Sequence, residues 1–292
     1  MSTDCFCGSG QKSLLRSTVR GGKSRNVVRC KRCGAVRLGA ADENDRQAFH
    51  ELGQQSDEID LDPLSDEYEE RNLIDVRRRV NSLLGELDGS ERLLDFGTGM
   101  GHFLAEIDPY VDDAVGSEIN RQRLEFVREE LGYDVYEGTD AVLEAFGEGS
   151  LDVITMFHVL EHLTDPVEQL ERVGELLAED GVLFIEVPNH ADWLLDRSAA
   201  YADFYYQEAH AYYFTSETLN LALVMAGFGS DIAGVQRYGP RNAAHWLLNG
   251  EPQLSDPDRN RDTWSEPASK LYAGLLAAVG RTDTLWATCR KF

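Results

Sequence analysis

The stretch ERLLDFGTGMGHFLAEI, Glu91 to Ile107, constrains the fold more than any other part of this chain. A short apolar run ends on Asp95, glycines stand at 97, 99 and 101, and Phe103, Leu104 and Ile107 follow at helical spacing. A strand that turns through glycines directly into a helix leaves backbone open to close approach by a ligand. By itself the pattern is also compatible with a tight turn that only packs helix on strand.

Downstream, strand and helix patterns alternate. Strands are expected at 92–96, 113–118, 133–137, 151–157 and 182–187, with helices at 101–107, 120–131, 166–178 and 216–226. Such alternation predicts an α/β fold, a parallel sheet covered by helices on both faces. Two later strands are expected at 231–237 and 284–289, the last of them antiparallel and closing the sheet. Upstream, Leu73, Val76, Val80, Leu83, Leu84 and Leu87 share one face of a helix, with Ser65 as its N-cap and Gly89 as its stop.

Two carboxylates specify the ligand. Asp95 closes the strand before the glycines, where it can meet an ammonium group; beside a pyrophosphate it would be repelled. Glu118 closes the next strand, where it can accept both hydroxyls of a ribose. A ligand with a ribose at one end and an amino acid at the other is S-adenosylmethionine. At these residues the chain resembles the class I S-adenosylmethionine-dependent methyltransferases over about residues 65–240, LLDFGTGMG matching their first motif and VGSEIN their second. The resemblance implies a Rossmann-like, doubly wound, seven-stranded sheet. It implies that Asp95, Gly97, Thr98, Gly99 and Gly101 hold the cofactor, with Glu118 on the ribose, Ile119 on an adenine face, Asp140 on the adenine amino group and Ala141 offering a backbone N–H to the ring.

A third matching stretch, GTDAVLEAFGEGSLDVITMFHVLEHLTDP, places Phe157 and His158 beside the cofactor. His158 and His162 are spaced i, i+4 with Glu161 between them. This admits a metal reading, but the stretch lacks a further nearby ligand; the resemblance makes His162 an orienting residue at a helix start. From Trp193 to Phe214, eight aromatic side chains fall within 22 positions, and an aromatic lid is expected at about 189–215. In HAYYFTSETL the resemblance implies that His210 enters the substrate pocket and that Thr215 or Ser216 caps the next helix. In sugar C-methyltransferases of similar layout a His of this stretch is a general base. Here Ala209 separates it from Glu208, and the candidate catalytic set is His210, Glu208 and Tyr213. VQRYGPRNAAHWLLNGEP resembles a phrase in methyltransferases of polysaccharide gene clusters, which implies a sugar or glycan acceptor, nucleotide-linked or lipid-linked.

Charge sets the N-terminus apart. The chain carries 52 acidic and 28 basic residues, net −24, and only five of the basic residues are Lys. An acid-rich, Lys-poor composition resembles that of proteins from salt-loving microbes. Residues 1–40 instead hold nine basic residues and one acidic, a net +8 that leaves −32 on the remainder. They also hold Cys5, Cys7, Cys30 and Cys33, and too few apolar residues for a core of their own. A zinc-ribbon-like module is expected there, stapled by one structural zinc ion on these four cysteines, although Cys-x-Cys is one residue short of the usual spacing. Reduced, unligated thiols are the alternative. With zinc and four thiolates the module's charge falls to about +6. An acidic linker is expected at 41–64, and the methyltransferase domain at 65–292. The acidic remainder argues against nucleic acid as a partner. No run of about 18 apolar residues is present and the N-terminus lacks a signal-peptide core, so a cytoplasmic protein is expected. Three functions remain open: methyl transfer to a sugar or glycan, the same chemistry on a quinone or phenol, or a non-catalytic regulator that binds S-adenosylmethionine.

Overall fold

The computed structural model describes residues 5–39, 66–251 and 266–292. The linker expected at 41–64 and the cap at Ser65 lie outside them. Seven strands form one sheet: β4 (Arg92–Phe96), β5 (Asp113–Ser117), β6 (Val135–Tyr136), β7 (Leu151–Phe157), β8 (Leu177–Pro188), β10 (Phe228–Val235) and β11 (Thr284–Lys291). Their order is β10-β11-β8-β7-β4-β5-β6, and β11 runs antiparallel to both neighbours. The parallel sheet and its antiparallel closure are as the alternating pattern predicts. The connection from β4 leaves to one side and β7 lies on the other, which makes the C-terminal end of β4 a topological switch point, where open α/β sheets bind ligands.

Both faces of the sheet are covered because its strands are apolar on both sides. On one face Val76, Val80 and Leu83 of helix Asp66–Leu83 pack with Phe103, Ile107, Phe184 and Trp286. On the other, Leu170 and Val173 of helix Pro166–Leu176 meet Leu219 and Leu223 of helix Ser216–Met225. Each such side chain contributes about 1.5–3 kcal/mol when fully buried. The expected 120–131 helix divides into an α-helical turn pair, Arg121–Phe126, and a π-helical turn, Val127–Leu131. Helices at Gly138–Phe146, Ala199–Tyr205, Pro240–Leu248 and Glu266–Ala278 were not expected from the pattern.

The N-terminal segment forms β1 (Lys12–Val19), β2 (Lys23–Cys30) and β3 (Val36–Leu38). The β1–β2 turn passes through Gly21 and Gly22, whose φ values of 74° and 71° suit glycine. A fourth strand, β9 (Tyr212–Tyr213), joins from the far side of the chain, giving an antiparallel sheet β1-β2-β3-β9 with Val36 opposite Tyr213. Val19, Val27, Val36 and Leu38 bury their side chains against Tyr205, Tyr206 and Tyr213. The aromatic residues expected to form a lid are thus the surface on which the N-terminal sheet is seated. This explains how a segment so poor in apolar residues is packed.

Candidate functional site

At the C-terminal end of β4 the glycine loop has the backbone its sequence demands. Gly97, Gly99 and Gly101 have φ of 80°, 57° and 79°. A methyl group on Gly97 would lie 2.5 Å from Val159 Cγ2, so this glycine is also required by packing. Gly99 differs: nothing lies within 4 Å of where its side chain would be, which leaves its backbone open to a ligand. Asp95 is buried beside the loop and accepts a 2.7 Å hydrogen bond from Thr155 Oγ1. Burial pushes its carboxyl up to about 6, against the pull of the Thr155 and Thr98 hydroxyls and the Arg79 charge. The buried Thr98 Oγ1 lacks a well-formed hydrogen bond among the described residues.

Glu118, just past β5, ties the loop to the following helix. Its Oε2 accepts from the Gly99 N–H at 2.9 Å, and its Oε1 accepts from the Ile119 and Asn120 N–H groups, both at 2.8 Å. Ile119 beside it is 58% exposed, an apolar face turned to solvent. Asp140 and Ala141 lie on the first turn of helix Gly138–Phe146, and the exposed Asp140 carboxylate pairs with Arg172. These residues suit S-adenosylmethionine: a buried carboxylate that could meet an ammonium, a glycine with open space beside it, an under-partnered hydroxyl, a second carboxylate that could meet a ribose, and an exposed apolar side chain. Phe157 is placed differently from a residue lining an open cleft. Its ring is buried edge-on to Phe103 at 5.0 Å and stacked on Trp286 at 5.4 Å.

His158 has φ of 57°, a left-handed conformation that costs a non-glycine residue about 1–2 kcal/mol. Charged neighbours hold it there. Its Nδ1 lies 3.1 Å from Glu161 Oε1, and its Nε2 lies 3.1 Å from Glu186 Oε1 and 2.8 Å from Arg237 Nη1. Glu186, fully buried in β8, also receives Arg78 Nη2 at 2.5 Å and Arg79 Nη2 at 2.7 Å. Burial opposes its charge, but the His158 hydrogen bond and the Arg79 charge hold Glu186 well below the usual carboxylate range. Burial and Arg237 oppose protonation of His158; Glu161 and Glu186 outweigh them and raise its pKa. Arg237 also pairs with Asp75 of the N-terminal helix. None of Glu186, Arg79, Arg237 or Asp75 was anticipated. One signal was available: a lone Glu inside the apolar strand VLFIEV must find cations when buried.

The segment after β8 carries the candidate catalytic residues. His210 is buried, and burial pushes its imidazole down to about 3 despite Glu161 nearby. Its Nε2 lies 2.7 Å from Gln207 Nε2. Glu208 is turned away from it: its carboxylate pairs with Lys23 and, at 2.9 Å, with Arg25 of β2. The orienting neighbour is therefore Gln207, and Glu208 fixes the N-terminal sheet to this loop. The Tyr213 ring lies 5.7 Å from the His210 ring, but its hydroxyl donates to Gln207 O at 2.9 Å and accepts from Gln207 N–H at 3.0 Å. Thr215 caps helix Ser216–Met225 through the Thr218 N–H, as expected.

Cys5, Cys7, Cys30 and Cys33 converge. The Cys5–Cys33 sulfurs are 3.5 Å apart and those of Cys7 and Cys30 3.7 Å. Tetrahedral zinc with Zn–S bonds of about 2.3 Å sets sulfurs roughly 3.8 Å apart, so the four thiols suit that ion despite the short Cys5–Cys7 spacing. The turns are tight, with Gly8 N–H donating to Cys5 O and Gly34 N–H to Cys30 O.

A methyltransferase-domain profile matches residues 67–229, more than half of the chain. A Bacillus subtilis protein described as the uncharacterized methyltransferase YcgJ is 27% identical over 111 residues, covering 36% of this chain and 44% of that protein. The match thus spans less than half of the relative's length. Two crystal structures share the fold. One is a SAM dependent methyltransferase from Archaeoglobus fulgidus (TM-score 0.52, 20% identity, 74% of this chain and 93% of that one). The other, from Thermotoga maritima, is described as a possible histamine N-methyltransferase (TM-score 0.50, 16% identity, 76% and 94%).

Proposed function

The chain belongs to the methyltransferase-domain family, and we propose that it transfers the methyl group of S-adenosylmethionine to a small acceptor, a sugar or glycan intermediate. The observation that carries the cofactor reading is the pairing of Asp95 and Glu118 around an open glycine backbone at the switch point of the sheet. S-adenosylmethionine supplies a methyl group already activated on a sulfonium, so the protein's work is mainly positioning. Asp95 takes the ammonium, Glu118 the ribose, and Ile119, Asp140 and Ala141 the adenine. The fixed charges of His158, Glu161 and Glu186 hold the end of β7 and the loop after it in place. His210 serves the acceptor side as a neutral imidazole at physiological pH, its Nδ1 without a hydrogen bond among the described residues.

A cleft of about 510 Å³ between the N-terminal sheet and the loop after β8 is lined by Arg16, Arg29, His190, Tyr206 and Arg281, together with Asp192 and Asp196. Arg16 and Arg281 are paired with Asp203 and Asp196, and the Arg29 guanidinium beside them favours an acceptor that carries phosphate. Cys5, Cys7, Cys30 and Cys33 would hold a structural zinc ion at the end of β2, the strand that carries Arg29. Calorimetry with S-adenosylhomocysteine tests the cofactor site: Glu118→Ala should weaken binding by about 1.5–3 kcal/mol, the scale of hydrogen bonds to a charged group. Unchanged affinity would remove Glu118 from the site. Transfer of labelled methyl to nucleotide-linked sugars, but not to quinones or phenols, tests the acceptor. A protein that binds the cofactor and labels nothing in a cell extract would be a regulator.

A further inference from the structure

Two buried polar atoms on neighbouring residues lack partners among the described residues. Glu161 Oε2 has no hydrogen bond, although its residue is 1% exposed and its other oxygen is engaged by His158. His210 Nδ1 has none either, although its residue is 8% exposed and Nε2 is held by Gln207. A buried carboxylate oxygen and a buried ring nitrogen are each costly to leave unpartnered. His162 completes the group. Its ring meets that of His210 edge-on with centroids 5.0 Å apart. Its Nδ1 lies 2.7 Å from Ala209 O, to which an N–H there donates, and this fixes Nε2 as the lone-pair nitrogen. Donor atoms of Glu161, His162 and His210 lie within 4.8 Å of one another.

We propose that Glu161, His162 and His210 bind one divalent first-row metal ion, at a site separate from the four cysteines. The donor set is two imidazoles and a carboxylate, which suits Mn²⁺, Fe²⁺ or Zn²⁺ and leaves coordination positions open. The neighbouring groups have the character of supports for such ligands. Ala209 O orients His162, His158 holds the second Glu161 oxygen, and the Gln207 amide, turned to present its oxygen, orients His210 by accepting from its Nε2–H. A cation about 2.0–2.2 Å from each donor needs the donors roughly 3.0–3.6 Å apart, a contraction within reach of side-chain rotations. His162 is exposed, so the ion has a route in and the open positions face solvent. The i, i+4 pair visible in the sequence, His158 and His162, is not the ligand pair: His158 turns to Glu186 and Arg237. The missing third ligand comes from the loop after β8, a place no local spacing could reveal. On the proposed methyl-transfer reading, on which only this last step rests, the open positions would take an acceptor oxygen and polarise it as a Lewis acid.

The test is Mn²⁺ binding, followed by electron paramagnetic resonance, to protein that keeps one zinc ion per chain on its cysteines after a weak chelator has cleared any zinc from the imidazole site. Mn²⁺ favours nitrogen and oxygen over thiolate, so the cysteine site stays silent. One bound Mn²⁺ per chain is expected, with spin-echo modulation from imidazole nitrogens. His162→Ala, at an exposed position, should weaken binding roughly a hundredfold or more in protein whose melting curve is retained, beyond what loss of a supporting residue costs. Glu161→Ala and His210→Ala should do the same in protein whose melting curve and S-adenosylhomocysteine affinity are retained. Absence of bound Mn²⁺, or affinity unchanged in His162→Ala, would overturn the proposal while leaving cofactor binding intact. Metal bound with no affinity for S-adenosylhomocysteine would instead overturn the methyl-transfer reading and leave this site standing.

Discussion

Asp95 carries the clearest pH signature in the molecule. Burial raises its carboxyl to about 6, so the ligand-free protein holds a proton there that the unfolded chain would already have lost. As pH rises from the ordinary carboxylate range towards 6, the unfolded state ionises first and this residue's contribution to stability declines. A ligand ammonium reverses the balance, because it selects the charged carboxylate. Below about pH 6, binding must expel a proton, and affinity for S-adenosylhomocysteine should fall about tenfold per pH unit; above it, affinity should level off. Calorimetry across pH 5 to 8 in buffers of different ionisation heat would show the proton release directly. Affinity that is flat through this range would mean Asp95 does not meet the ammonium. Asp95, the three glycines and Glu118 were legible in the sequence because strand, turn and next strand lie within thirty residues of one another. The charges behind them were not. Arg79, Glu186 and Arg237 meet only because helix, β8 and the segment after β10 are brought together by the sheet.

At the scale of elements, the informative piece is β9. Two residues, Tyr212 and Tyr213, have no periodicity, so nothing in the sequence marks them as a strand. Their partner β3 lies at the other end of the chain. The central strands of the large sheet, β4, β7 and β8, were legible by contrast because they are longer and apolar, and the antiparallel β11 because it follows a long excursion. The β3–β9 pairing couples the cysteine cluster to the loop that carries His210. Cys30 ends β2, Cys33 precedes β3, and Arg25 of β2 holds Glu208 at 2.9 Å. If zinc closes this cluster, its removal should release β3 and expose the amides of 205–213. Hydrogen exchange measured with and without a chelator should show faster exchange at Tyr212 and Tyr213, with the core strands β4 and β7 unchanged. Equal exchange in both samples would mean that the N-terminal sheet stands without metal.

For the whole molecule the governing quantity is charge. A net −24 repels itself, and the repulsion acts over many ångströms between exposed carboxylates. The basic N-terminal sheet offsets part of it locally, through Arg16 with Asp203, Lys23 with Glu208 and Arg25 with Glu208. Added salt screens both terms, but not equally. At about 0.1 M the Debye length is already about 10 Å, so long-range repulsion between surface charges is largely removed as salt rises. The Arg25–Glu208 pair, with side chains 14% and 17% exposed, is in contact and shielded from ions, and loses much less. Repulsion therefore weakens more than attraction, and the melting temperature should climb between low salt and molar KCl. The same argument predicts that the gain saturates once the Debye length falls to about 3 Å, near 1 M. A specific need for high salt would show as a continued rise beyond that point, from ion and water binding at the acidic surface. A melting temperature that is flat or falls over this range would reject adaptation to salt and leave the acidic residues as ordinary solubilising charge.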